Sequence, residues 1–242
     1  MKIINRKIEI NKNKNKNKEK KIGKIGVAAP PQLTVRDLAA LTWLVEQRAA
    51  TLPQLTELLG YLGGSEITPR RGAQLVSRWE SLGLVERSNV WHREPAVVWP
   101  TTAGAKLIGL SRWRRPAIGT LRHTIATSAV RLRTCRPENG RTWLTEQQLR
   151  ELLPSDVRIP DGGIVETDGV SVTACEIELT SHGRRRVREA MTSLLAARRG
   201  DRDWFHHILY LCTAETMPQC TAVRAEFPEH LRERLVILAI PT

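Results

Sequence analysis

Three apolar runs in the last third of the chain constrain its fold most: Val170–Leu179, Phe205–Cys212 (FHHILYLC) and Leu235–Ile240. Each is short, and the spacing reads as strand, with the last two of the kind buried on both faces. Helix-length segments separate them. Gly183–Arg199 puts Val187, Met191, Leu194 and Leu195 on one face, and Pro218–Phe227 is the second. Upstream, Leu121–Leu132 reads as a helix with Leu121, Ile125, Ala129 and Leu132 inward, followed by a Trp143–Leu144 strand and a Thr145–Leu153 helix. Strands alternating with helices predict a sheet covered by helices, an α/β unit over residues 121–242.

The stretch VRIPDGGIVETDGVSVTACEIELT, residues 157–180, carries the first candidate chemistry. Gly163–Glu166 and Val170–Leu179 read as paired strands, and Asp168-Gly169 between them is a strong hairpin turn pair. Alternation puts Val172, Ala174, Glu176 and Glu178 on one face. With Asp161 at the neighbouring strand start, these carboxylates are candidate ligands for a hard cation such as Mg2+. The plain alternative is an edge strand with glutamates on its solvent face and an aspartate that only forms a turn.

Residues 33–112 have a helical period instead. Thr34 is a candidate N-cap with Asp37 at N3, and Leu38, Leu41, Leu44 and Val45 form an apolar stripe. Pro53 opens a second helix. A third runs from Pro69 to Leu82, with Leu75, Val76, Trp79 and Leu82 apolar, and with Arg70, Arg71, Gln74, Ser77 and Arg78 mostly on the other side. Gly83 ends it. Leu84–Arg87 and Ala96–Trp99 then read as two strands. This order, with the phrase around GLVER and VVWPTTAGAKLIG, resembles a winged helix-turn-helix DNA-binding domain. The resemblance implies that Arg70, Arg71, Gln74 and Arg78 face DNA bases and phosphates, with Arg87, His92 and Arg93 on the wing. Residues 113–120 read as a linker, in which Trp113 is flanked by arginines.

The formal net charge is +13. Residues 1–25 hold nine lysines and one arginine against two glutamates, and the Asn/Lys-rich segment 1–30 is expected to be a disordered basic arm. A basic chain with no apolar run near 20 residues is expected to meet double-stranded DNA and not a membrane. Cys135, Cys175, Cys212 and Cys220 form no CxxC pair, which favours a reducing, cytoplasmic setting. Arg184, Arg185, Arg186 and Arg188 crowd the first turns of a helix, against its dipole, so they are expected to pair with Glu176 or Glu178 or to await phosphate. His123 reads as a surface or packing histidine. Tyr61 and Tyr210 come without a metal-binding histidine cluster, which excludes a tyrosine relaxase.

Over residues 33–240, the wing phrase, the helix LRHTIATSAVRL, the element WLTEQQLR, and PDG followed by EIELT and a basic helix together resemble the replication-relaxation family of plasmids and mobile elements. Residues 121–242 also resemble a PD-(D/E)xK, or restriction-endonuclease-like, core. In that resemblance Pro160-Asp161 opens a strand, Glu176 takes the acid place and Glu146 is the helical acid, which implies catalytic Asp161, Glu176, Glu178 and Glu146, with Mg2+ on Asp161 and Glu176. The usual lysine place is Glu178, and arginine from the next helix (Arg184, Arg185 or Arg188) is a poor substitute as proton acceptor. The expectation is a DNA-binding protein with a divergent nuclease-like domain. The alternative is a non-catalytic regulator or replication accessory whose second domain dimerises or docks a partner.

Overall fold

A computed structural model describes residues 32–240; the arm expected over residues 1–30 lies outside them. Threonine caps open most of the longer helices. Thr34 Oγ1 accepts from the Asp37 amide, and the Asp37 carboxylate accepts from the Thr34 amide at 2.7 Å, so α1 (Val35–Gln47) starts in a capping box. Thr51 and Gln54 repeat the device for α2 (Leu52–Gly63). Thr68 caps α3 (Pro69–Ser81), where Pro69 lacks only an amide that no helical carbonyl would meet.

Strands β1 (Ala50–Thr51), β2 (Val85–Ser88) and β3 (Val97–Pro100) form an antiparallel sheet in the order β1-β3-β2. Leu41, Leu44, Leu55, Leu59, Val76 and Trp79 fill the space between α1, α2, α3 and this sheet, all at or near zero exposure. The α2–α3 crossing is close. A Cβ on Gly72 would sit 2.1 Å from Thr56 Oγ1, so only glycine fits there without displacing a helix.

After α4 (Thr102–Leu107), the long helix α5 (Ile118–Thr134) joins the two halves. Leu132 enters the helical core, and Ser128 Oγ donates to the Ala49 carbonyl at 2.7 Å. Val130 instead packs with Trp143, Ile164, Cys175 and Ile177 on one face of a second sheet. Residues from Leu33 onward thus group as one unit.

The second sheet has the order β10-β9-β6-β5-β4, built from β4 (Thr142–Thr145), β5 (Gly162–Val165), β6 (Val172–Glu178), β9 (His207–Cys212) and β10 (Leu235–Ala239). The β4, β5 and β6 strands run antiparallel, while β6, β9 and β10 are parallel, so the fold is mixed α/β. Helix α6 (Glu146–Leu152) follows β4. Helix α7 (Arg184–Ala196) crosses from β6 to β9, and α8 (Met217–Arg224) with the short α9 (Glu229–Arg232) crosses from β9 to β10. Ala174, Ile208, Tyr210, Val187, Met191 and Leu194 share the core on that side. The basic helix stops at Ala196 and not at Arg199. Arg198 and Arg199 (β7) turn instead into a short ribbon against β8 (Arg202–Asp203).

The hairpin between β5 and β6 forms where the Asp168-Gly169 pair places it. Asp168 Oδ1 accepts from the amides of Val170 and Ser171 at 2.8 Å, and Gly169 has φ +69°. The strand after it is central and buried along its whole length, so the edge-strand alternative for Glu176 and Glu178 is incorrect. By alternation both glutamates share the β6 face of Ala174, which packs with Val187 and Met191 of α7. No helix among the described residues is long and apolar enough to cross a membrane.

Candidate functional site

The acidic residues come close in sequence register but are held by different partners. Asp161, at the entry to β5, accepts the Ile177 amide on Oδ2 at 2.8 Å, and the same oxygen lies 3.1 Å from His123 Nε2 on α5. That hydrogen bond raises the His123 pKa above its ordinary value, against the opposing effect of burial. His123 is therefore no simple packing histidine. The signal was its place in the LRHTIATSAVRL helix, but its partner lies 38 residues away.

Glu176 faces the α7 side of the sheet. Arg158 takes both of its oxygens, Nε to Oε1 at 3.0 Å and Nη2 to Oε2 at 3.3 Å, and the Arg158 amide donates to Ser193 Oγ on α7. Burial and then the nearby Asp161 charge push the Glu176 carboxyl up to about 7, with Arg158 opposing. Tyr210 stands beside it in register on β9; its buried hydroxyl has no hydrogen-bond partner. Glu178 is also buried, which raises its pKa, and His182 Nε2 lies 3.8 Å from its Oε2. Glu146 is exposed at the first position of α6 and bonds Arg150. It shares with Asp161, His123 and Trp143 a cavity of about 90 Å3, closed by Glu46 and Arg48.

A Mg2+ ion needs free carboxylate oxygens converging on one point. Here Glu176 is gripped on both oxygens, Asp161 Oδ2 carries two contacts already, and Glu146 is turned to Arg150. Among the described residues no three His, Cys, Asp or Glu side chains are grouped to hold a metal ion. The Glu178 carboxylate, by contrast, meets only His182 Nε2 among the described residues, at 3.8 Å.

The arginines of α7 do not pair with Glu176 or Glu178. Arg184 and Arg188 both bind Glu226, beyond the end of α8, and Arg185 pairs with Glu189. All three arginines are exposed at the N-terminal end of α7, whereas Glu176 and Glu178 are buried in the sheet.

On α3 the expected basic face is present. Arg70, Arg71, Gln74 and Ser77 are exposed on the side opposite the buried Leu75, Val76 and Trp79. Arg78 is the exception, since its Nη2 binds the buried Asp37 carboxylate at 2.5 Å. Trp79 Nε1 donates to the same Asp37 oxygen at 3.0 Å. Asp37 is thus both a cap and the anchor of α3, a role that helix-capping logic alone does not show. In the hairpin, Arg87 pairs with Glu80, while His92 and Arg93 are exposed.

Compared with known protein families, curated proteins and solved structures, the chain shows no match.

Proposed function

We propose that the chain binds double-stranded DNA through a winged-helix unit formed by α1–α3 and the β2–β3 hairpin. Helix α3 would lie in the major groove, and the chain would serve plasmid or mobile-element DNA in replication or relaxation, as its family resemblance implies. The observation that carries the binding reading is the face of α3. Arg70, Arg71 and Gln74 are exposed together, without an acidic partner, on a helix whose other side is fixed in the core. His92 and Arg93 are exposed on the loop of the hairpin, and the chain is basic overall.

In this reading the second sheet is a non-catalytic module that docks or dimerises. Support comes from the Arg158 grip on Glu176, which occupies both of its oxygens. Binding of a labelled duplex by the full chain, compared with Arg70→Ala/Arg71→Ala, tests the first part. Incubation with supercoiled plasmid and Mg2+ or Mn2+ tests the second: the plasmid stays intact. Cleavage that vanishes in Asp161→Ala/Glu176→Ala would restore the divergent nuclease.

A further inference from the structure

A cavity of about 740 Å3 lies on the helical half, apart from the acidic sheet residues, and reaches α3 only at its first residue, Pro69. Its size falls within the roughly 300–1,000 Å3 of ordinary small-molecule sites. Leu52, Tyr61, Ile67, Pro69 and Pro95 supply an apolar wall drawn from α2, the turn into α3 and the loop before β3. Its charge runs against that of the chain. Glu57, Glu66 and Glu138 line it, and no lysine or arginine does, in a protein with net charge +13.

Two of these acids are tied behind the wall. Glu57 accepts from the Tyr61 hydroxyl and approaches Arg136 at 3.5 Å, and Arg136 reaches Glu138 at 4.0 Å. Glu66 is exposed, and Glu138 is 61 % exposed. One arginine therefore stands against three carboxylates. Such a cavity repels nucleic acid and organic anions, accepts an apolar body, and favours a positive charge beside the exposed Glu66 and Glu138, since the Arg136 guanidinium already lies over the Tyr61 ring at 4.8 Å.

We infer that this cavity is a binding site for an apolar organic cation of small-molecule size. The inference does not depend on DNA binding, because Arg70, Arg71 and Gln74 do not line the wall.

Tetraphenylphosphonium and tetraphenylborate are close in size and shape but opposite in charge, and each is titrated calorimetrically into the full chain. The phosphonium is expected to saturate one site with Kd on the order of 10–100 µM. It should bind at least about tenfold tighter than the borate, although the net charge of the chain favours the anion. Glu66→Gln/Glu138→Gln, at exposed positions, should weaken the phosphonium about fivefold, since each screened pair contributes modestly. Ser65→Arg places a cation at the rim and should abolish its binding. Equal or tighter binding of the borate, the absence of a saturable phosphonium site, or a phosphonium affinity unchanged in the glutamine variant would each overturn the proposal.

Discussion

Arg158 holds both carboxylate oxygens of Glu176, at 3.0 and 3.3 Å, from a loop that precedes β5, while Glu176 itself sits inside the second sheet on β6. The pair occupies both oxygens of a carboxylate buried in the middle of the sheet.

It also makes stability depend on pH. Glu176 titrates near 7 when folded, above its ordinary value of 4.5, chiefly through burial. The folded state therefore favours the protonated acid. This contribution is complete below about pH 4.5 and is lost as pH rises through about 7. Glu176→Gln should abolish that loss, leaving stability level between pH 5 and 8 as far as this group is concerned. Urea titrations at pH 5 and 8 measure it, and equal pH slopes in the two proteins would contradict it.

The His123–Asp161 contact makes a second, separable prediction. Because Asp161 raises the His123 pKa, His123 contributes stability below about 6.5 that is lost as pH rises through its higher folded value. The His123 ring signal in NMR should titrate above 6.5, and Asp161→Asn should bring the midpoint down. A midpoint unmoved by the substitution would mean that the 3.1 Å contact does not form in solution.

Asp37 binds Arg78, the Trp79 indole and the backbone of Thr34. Burial alone would raise its pKa, but these bonds together lower it below the usual carboxylate value. The stability it adds is present above about pH 3.8 and is lost as pH falls through the folded pKa. Asp37→Ala leaves the indole and Arg78 without their acceptor and should cost about 2–4 kcal/mol at pH 7. A change below about 0.5 kcal/mol in denaturant unfolding would contradict the anchoring role.

Gly72 tests the α2–α3 crossing. Its Cβ position lies 2.1 Å from Thr56 Oγ1, so Gly72→Ala must push α3 outward or rotate Thr56. We expect a loss of about 1–3 kcal/mol and a parallel loss of duplex affinity. Pairing it with Thr56→Ala, which removes both Oγ1 and the methyl from the contact, should recover part of both.

These residues show what the sequence makes legible. Caps at Thr34 and Thr51, the hairpin at Asp168-Gly169 and the apolar faces of the helices rest on neighbours within four residues, so spacing predicts them. The partners of Glu176 and Asp161 do not. Arg158 and His123 are 18 and 38 residues from them, and β9, which buries β6, arrives only after α7. The same distance explains Arg184 and Arg188, whose acceptor Glu226 lies beyond β9 and α8. Arg78 misleads for a different reason: it falls near the polar face by period, yet a buried acid 41 residues upstream claims it.

The most direct test of the account is the salt dependence of duplex binding by the full chain beside Arg70→Ala/Arg71→Ala. A phosphate contact contributes about 0.9 to the slope of log K against log salt, so the double variant should bind more weakly across unrelated sequences, with a slope shallower by about 2. An unchanged affinity and slope would contradict the assignment of α3 as the DNA-facing helix.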